Sequence, residues 1–241
     1  MSNPIRLVWK DKEALSLAAA YHFVTAAAKS IAANGRFTVA FSGGSTPKRL
    51  FEILATPAFS SNIDWKNVFI FWSDERFVPA ISDESNYRMS RLALLDHVKI
   101  PRKNIFITPT KGEPATCAQE YEASVKAILG RSAQFDLTLL GMGDDGHTAS
   151  LFPGTTILTE TRRLVKEVWV DSKQTWRISF TYTLINKSKE VMLLVGDANK
   201  YPILKKIFVK NAKHLYPVQG VAPQKGQTIW MLDEAAVTGK G

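Results

Sequence analysis

A glycine-rich stretch, FDLTLLGMGDDGHTASLFPG at residues 135–154, carries a histidine and two aspartates at a spacing that could support proton transfer. Asp145 precedes His147 by two residues. An imidazole titrates near neutral pH and can take a proton from water, and a neighbouring carboxylate can orient the ring. The pattern therefore predicts a general base supported by an acid. The alternative, a histidine that only caps the turn 148–151, stays open at this point.

The same stretch contains Gly141, Gly143 and Gly146, which spell the G-x-G-x-x-G pattern of dinucleotide-binding turns. In such a turn the glycines let the backbone approach a pyrophosphate. Here Asp144 and Asp145 lie between the second and third glycines, where their charges would repel that group. We therefore expect the glycines to bring the aspartate and the histidine to the floor of a crevice, and a nicotinamide-dependent dehydrogenase is disfavoured.

A second candidate site is FSGGSTPKRL at residues 41–50, which follows the short apolar run 37–41. Its two glycines allow a tight turn, and Ser45 and Thr46 are predicted to cap the helix that follows. Free amides and the positive end of a helix favour an anion. A plain turn with a hydroxyl cap is the alternative. The predicted anion cradle consists of Ser42, Gly43, Gly44, Ser45 and Thr46.

A third candidate is the charged run Asp74, Glu75 and Arg76, which directly follows the apolar run 68–72. Charges at the carboxyl end of a buried strand are expected to face the crevice, and an arginine there suits phosphate through several donors at once. The alternative is a solvated surface cluster. Ser85 and Asn86 are predicted to cap the next helix.

Composition places the chain among ordinary soluble globular proteins, with 241 residues, 45% hydrophobic and 22% charged. A lone Cys117 excludes an internal disulfide, and the start of the chain does not resemble a secretory signal, so we expect a cytoplasmic protein. The run 15–28 is too short to span a bilayer, and no membrane association is expected. No spacing of histidines, cysteines and acids predicts a metal site.

The formal charge of +9 suits an anionic partner. The densest basic stretch, residues 205–214, is explained at least as well by the solvated face of an amphipathic helix as by a nucleic-acid contact. No nucleic-acid module and no alternation of aromatic and basic residues accompanies it, so no nucleic-acid partner is expected. His22, His97 and His214 are interpreted as structural, and Cys117 lacks the surroundings of a nucleophile.

Apolar strands and helices alternate along the chain and predict an α/β fold, a Rossmann-like doubly wound and mostly parallel sheet with helices on both faces. The pattern is also compatible with an additional small α/β subdomain. We expect one domain over residues 1–241. In such sheets ligands bind beyond the carboxyl ends of the strands. Strands are predicted at 37–41, 68–72, 135–140, 164–170, 177–181, 191–196 and 228–232, and helices at 14–33, 48–56, 85–96, 116–129 and 200–209.

The three candidate segments together resemble the 6-phosphogluconolactonase family, within the superfamily of the glucosamine-6-phosphate isomerases. The resemblance rests on FSGGSTPKRLFEIL, on WSDERFVP with SNYRM after it, and on LLGMGDDGHTASLFPGT. Fainter similarity lies in RISFTYTLIN, LLVGDANK and IWMLDEAA, so that it runs from residue 37 to residue 236.

The resemblance implies hydrolysis of 6-phospho-D-glucono-1,5-lactone in the oxidative pentose phosphate pathway. It implies that the 42–46 loop and Arg76 hold the phosphate, that Arg177 and Lys200 also face the substrate, and that His147 is the general base supported by Asp145. The family's usual proline pair before Arg177 is replaced by SKQTW, and the residues after Lys200 also vary. A lactone is already activated, so no cofactor is expected. The partner would be the small-molecule substrate, and the protein would be a monomer or a weak homo-oligomer.

Two rival functions are weighed beside this one. A glucosamine-6-phosphate deaminase or isomerase would share the fold and the G-x-D-G-H turn, but such enzymes tend to carry NEP where this chain has LFP. A sugar-phosphate sensor without catalysis would have no use for Asp145 and His147, so their presence argues against it.

Overall fold

The computed structural model describes residues 3–209 and 216–240. The strands in chain order are β1 (Ile5–Trp9), β2 (Phe37–Phe41), β3 (Val68–Trp72), β4 (Asp74–Arg76), β5 (Leu137–Leu140), β6 (Val165–Val170), β7 (Thr175–Phe180), β8 (Glu190–Val195) and β9 (Gln227–Asp233). The helices are α1 (Lys12–Asn34), α2 (Ser45–Ala55), α3 (Pro57–Ser60), α4 (Asn86–Ala93), α5 (Pro114–Leu129), α6 (Tyr182–Ile185), α7 (Tyr201–Ile207) and α8 (Glu234–Thr238).

Six strands form one parallel sheet in the order β1-β9-β8-β5-β2-β3. The predicted α/β fold with a mostly parallel sheet is confirmed. Two hydrophobic clusters cover it: one includes residues of α1 and α2, and the other includes residues of α5, β6 and β7. Successive residues of β2 point to opposite faces of the sheet, since Val39 and Phe41 belong to the first cluster and Ala40 belongs to the second. The sheet is therefore buried on both faces, as near-continuous apolar strands require.

Two predicted strands, 164–170 and 177–181, do not join the parallel sheet. As β6 and β7 they pair antiparallel with each other, and β7 pairs antiparallel with β4, in a second sheet of order β4-β7-β6. Residues 171–174 alone connect β6 to β7, and a parallel pair would need a crossover of a dozen or more residues. They therefore form a separate small sheet, and the prediction of a mostly parallel sheet is unaffected.

Most of the other predicted elements lie within a few residues of their predicted bounds. Five elements were not predicted, namely strands β1 and β4 and the short helices α3, α6 and α8. Strand β1 is an edge strand with a mostly exposed sequence. The predicted helix 85–96 ends at Ala93, after which a short 3-10 turn covers Leu95–His97. The predicted helix 200–209 is shorter, Tyr201–Ile207. Part of the basic stretch 205–214 lies outside the described residues.

Ser73 joins the two sheets at the place where β3 becomes β4. Its amide donates to the Phe41 carbonyl at 2.8 Å, which extends the pairing of the parallel sheet. Its carbonyl accepts from the amide of Phe180 in the small sheet, also at 2.8 Å. This link sets β4 beside the carboxyl ends of the parallel strands.

Among the described helices, none combines the length and the apolar character needed to cross a membrane.

Candidate active site

A cavity of about 350 Å³ opens at the carboxyl edge of the parallel sheet, where β2 and β5 are neighbours. The chain runs from β2 outward to β3 on one side, while β5 and β8 lie on the other, so this is the point at which the strand order reverses. Its volume is in the range of small-molecule sites. All of the predicted site residues except Asp145 line it: Ser42, Gly43, Gly44, Ser45, Thr46, Arg76, His147, Arg177 and Lys200.

The loop after β2 forms one wall of this cavity. Gly44, with a φ of 111°, is the residue before the first turn of α2, and Ser45 is already helical. The prediction that Ser45 and Thr46 cap the helix is therefore wrong, because both lie inside its first turn and no side chain caps it. First-turn amides have no acceptor within their own helix, and the helix dipole makes this end positive. This wall can therefore still bind an anion through the first-turn amides of α2.

Asn86 explains why a glycine is needed at position 43. A Cβ on Gly43 would lie 2.0 Å from Oδ1 of Asn86. The side-chain amide of Asn86 donates to the carbonyl of Asp74 at 2.9 Å and so connects the start of α4 to β4. The cap of α4 is Ser85, as predicted, whose hydroxyl accepts from the Arg88 amide at 3.1 Å. Asn86 is the first helical residue and a lining residue instead, so its predicted capping role is wrong.

The turn after β5 carries His147 into the cavity. A Cβ on Gly143 would lie 2.1 Å from both Nδ1 and Cε1 of the His147 ring, so the glycine makes room for the imidazole. The Gly143 amide donates to the His147 carbonyl at 2.9 Å and closes the turn. Gly146 has a φ of 77°, in the left-handed region that glycine tolerates. The motif thus holds a histidine in place, as the sequence predicted.

Asp145 lies beside the ring, outside the cavity lining. Its Oδ1 accepts from the His147 amide at 3.0 Å and lies 2.5 Å from Nδ1. Burial alone would raise the pKa of Asp145, but the hydrogen bonds from His147 and the charge of its ring together hold that pKa below its usual range. A carboxylate can only accept, so Nδ1 carries the proton. In the neutral ring Nε2 then keeps its lone pair, which suits a base.

Phe152 supports the imidazole from one face. The ring centroids of His147 and Phe152 are 3.9 Å apart and nearly parallel. The guanidinium carbon of Arg177 lies 5.7 Å from the centroid of the same phenyl ring. One aromatic side chain therefore contacts both the candidate base and a candidate cation.

Arg76 and Arg177 lie directly opposite each other on the antiparallel pair β4–β7. Both Nε atoms are buried and have no hydrogen-bond partner within the part of the chain that the structure describes. Burial is the main cause that lowers the pKa of Arg177; the carboxylate of Asp74 opposes this effect and Arg76 adds to it. Like charges directly across a strand pair are unfavourable. An anion between them would relieve the repulsion and satisfy the free donors.

The sequence predicted that all three charges of β4 face the cavity, but only Asp74 and Arg76 line it among the described residues. The carboxylate of Asp74 lies 2.7 Å from the Ser150 hydroxyl and 4.0 Å from Nη1 of Arg177. Glu75 instead accepts from the amides of Asn86 and Tyr87 at the start of α4. Burial raises the pKa of Glu75, and these amide bonds work against it. The expectation for Glu75 is wrong because alternate residues of a strand point to opposite faces.

Lys200 is the third cation of the lining, in a 3-10 turn after β8. Its ammonium group pairs with Asp144, which also accepts from the amide of Asn199 at 3.1 Å. Lys200 and Asn199 therefore partly compensate the negative charge of Asp144. Sequence reasoning named Asp74 only within the charged run 74–76, and it did not single out two other polar residues that line the cavity, Asp197 and Asn199. The only sequence signal for the last two was their position beside Lys200 after an apolar run.

The remaining histidines do not line this cavity where they are described. His22 contacts Glu190 at 2.6 Å and His97 contacts the Leu92 carbonyl at 2.9 Å; His214 lies outside the described residues. Cys117 is buried, and burial raises the pKa of its thiol. Within residues 3–209 and 216–240, no group of three or more potential ligands is arranged to hold a metal ion.

Comparison with known proteins places the chain among its relatives. A profile of the family described as glucosamine-6-phosphate isomerases/6-phosphogluconolactonase matches residues 10–230. The 6-phosphogluconolactonase of Synechocystis is 44% identical over 214 residues, which are 86% of each chain.

Two solved structures are similar in fold. That of 6-phosphogluconolactonase from Trypanosoma cruzi has a TM-score of 0.86 and 29% identity, over 98% of this chain and 97% of that one. A monomeric glucosamine-6-phosphate deaminase has a TM-score of 0.82 at 18% identity, over 98% of this chain and 100% of that one. The second likeness concerns the fold alone. The match over most of the chain, together with the sequence identity, establishes that this protein belongs to the glucosamine-6-phosphate isomerase/6-phosphogluconolactonase family.

Proposed function

We propose that the protein hydrolyses 6-phospho-D-glucono-1,5-lactone to 6-phospho-D-gluconate, with His147 as the base that activates water. One observation carries the proposal: a histidine with a carboxylate at Nδ1 lines the same cavity as two arginines with unused donors. The relatives named above as 6-phosphogluconolactonases supply the substrate class.

The phosphate of the substrate is assigned to the cationic side of the cavity. Arg76 and Arg177 can donate to its oxygens, and Lys200 and the first turn of α2 add positive potential. Arg76 is held in place by a hydrogen bond from Nη1 to the Glu84 carbonyl at 2.5 Å, which leaves other donors free. Fixing the phosphate turns the reaction of lactone with water into one between positioned partners.

The chemical step is a proton transfer coupled to attack on the carbonyl. Nε2 of His147 takes a proton from water while the water oxygen bonds to C1 of the lactone, and the carbonyl electron pair moves to its oxygen. A guanidinium carries five N–H donors, and those of Arg177 that the phosphate does not use are the candidates that stabilise this oxyanion. As the carbonyl re-forms, the bond from C1 to the ring oxygen breaks, and the ring oxygen receives the proton from Nε2. The product acid then ionises, and the imidazole is neutral again.

Asp145 acts through His147 in this scheme. Its carboxylate keeps the proton on Nδ1 and stabilises the imidazolium that forms after the first transfer. Because the hydrogen bonds from His147 keep the pKa of Asp145 low, the carboxylate is ionised at neutral pH. No cofactor takes part in these steps.

The test follows acid release from freshly made 6-phosphogluconolactone above the spontaneous rate. Wild-type protein should accelerate hydrolysis, and His147→Ala should lower kcat by about 10²–10⁴-fold, the usual contribution of a general base. His97→Ala is the matched control, since His97 bonds to the Leu92 carbonyl in a groove between α2 and α4 and does not belong to the described lining of the candidate site. A wild-type kcat in His147→Ala would contradict the assignment of His147 as the general base.

The second candidate is a glucosamine-6-phosphate deaminase or isomerase, which shares the fold. Ammonia release from glucosamine 6-phosphate, measured on the same preparation, separates the two functions. We expect none above background.

We further propose that the enzyme works in the cytoplasm, in the oxidative pentose phosphate pathway, as one domain and as a monomer or weak homo-oligomer. Light scattering on purified protein at several concentrations checks the oligomeric state.

A further inference from the structure

Lys12 lies outside the cavity lining, at the first position of α1, and reaches two loops that do line it. Its ammonium group donates to the Ser45 hydroxyl at 3.0 Å and to Oδ2 of Asp197 at 2.8 Å. Ser45 begins α2 after β2, and Asp197 follows β8. One side chain therefore connects two strand exits that are far apart in sequence.

The turn held by Lys12 has a strained backbone. Asp197 has a φ of 80°, which few residues other than glycine adopt. Its amide donates to the Asp233 carboxylate at 3.0 Å, and its carbonyl accepts from the Lys200 amide at 3.1 Å. Strain of this kind persists only where the surroundings hold it. The contacts of Asp197 therefore hold the start of the 3-10 turn Ala198–Lys200, whose last residue, Lys200, lines the cavity.

Most ion pairs on protein surfaces contribute little, because solvent screens them and two long side chains must be ordered. The Lys12 contact differs in two respects. Its side chain is 30% exposed, against 82% for the neighbouring Lys10, whose ammonium lies 3.7 Å from Asp11. Its ammonium group also has two acceptors on different loops, so that ordering the Lys12 side chain orders both loops.

Both loops lie on the side of the cavity assigned to the phosphate. Ser45 belongs to the predicted anion cradle, and Asp197 precedes Lys200 by three residues. On the basis of the proposed function, we infer that Lys12 is a positioning residue that sets the preference for phosphorylated over unphosphorylated lactone. It does so by fixing the Ser45 hydroxyl and the Lys200 turn, and by adding a positive charge behind them.

The test compares two substrates, 6-phosphogluconolactone and glucono-1,5-lactone, on Lys12→Met, Lys12→Arg and the control Lys10→Met. Lys12→Met should lower the ratio of their kcat/KM values by about tenfold, comparable to one hydrogen bond to a charged group. The change should lie in KM for the phosphorylated substrate, with kcat little altered. Lys12→Arg should restore most of the ratio, because a guanidinium can reach both acceptors, and Lys10→Met should match the wild type.

A binding measurement keeps this inference separate from the proposed function. In calorimetric titration with inorganic phosphate, Lys12→Met should bind about tenfold more weakly than the wild type, whether or not the lactone is turned over. Ser45→Ala serves as the second variant, and its effect should not add to that of Lys12→Met. Equal phosphate affinity in wild type and Lys12→Met, or an equal loss on both lactones, would overturn the inference; absence of lactone hydrolysis by the wild type would overturn only the proposed function.

Discussion

The strongest test of the geometry is to replace Gly143 by alanine. Neither Gly143 nor Gly141 has a positive φ, so the backbone at both positions accepts alanine. At position 143 the new methyl group would lie 2.1 Å from two atoms of the His147 ring and 2.9 Å from the Asp145 carboxylate. Ordinary contact begins near 3.4 Å, so the imidazole must retreat.

The expected loss follows from that displacement. The ring has to move by roughly 1 Å, and a misplacement of that size at a reacting group costs about 10²-fold in rate. This is about 2.7 kcal/mol in the activation free energy. The phosphate side of the cavity is untouched, so KM should change little while kcat falls. Initial rates over a range of lactone concentrations separate the two.

Gly141→Ala is the matched control from the same motif. Among the described residues, the nearest atom to a Cβ there is the Gly43 carbonyl oxygen at 4.0 Å, so the variant should retain wild-type kcat. In the His147→Ala background, Gly143→Ala should cost little more, because the clashing ring is gone. Equal losses at positions 141 and 143, or wild-type kcat in Gly143→Ala, would refute the argument.

Three further predictions concern other contacts. Asp145→Ala should lower kcat by about 10²-fold, which is less than the loss caused by removing the imidazole. Asp145→Asn should keep a higher kcat than Asp145→Ala, because its amide oxygen can still accept from Nδ1 of His147. Steady-state rates check both variants. Tyr121→Phe should lower the free energy of unfolding by about 1–3 kcal/mol in urea titration, with kcat unchanged, because the buried hydroxyl donates to the Trp72 carbonyl at 3.0 Å and accepts from its amide at 2.7 Å. At Glu160, an ammonium group and two amides lower the pKa to about 2, so the stability it contributes is present above the unfolded pKa near 4.5 and lost as the pH falls from there toward 2. Urea titrations should show a smaller difference in the free energy of unfolding between wild type and Glu160→Gln at pH 3 than at pH 6. The same difference at both pH values would contradict this prediction.

Sequence patterns determined the order of most elements. A sheet that is buried on both faces requires strands of continuous apolar residues, and turns rich in glycine separate these runs in the sequence. They also placed His147 beside Asp145, since two residues joined by one glycine cannot be far apart. That the 42–46 loop and Arg76 line one cavity could be predicted from their positions at strand ends, which meet along one edge of a parallel sheet. The direction of each side chain was less accessible, and Glu75 was misjudged for that reason. The helix cap at Ser45 was misjudged because α2 begins at Ser45 itself, earlier than predicted.

Contacts between distant segments were decided only by the tertiary structure. The antiparallel pairing that sets Arg76 opposite Arg177 brings together residues about a hundred positions apart, and neither local sequence specifies it. The same holds for Lys12, whose acceptors lie 33 and 185 residues away. A sequence pattern reports which residues are neighbours along the chain and which face of an element is apolar. Which loops share a cavity depends on how the sheets pack, and that is a property of the whole chain.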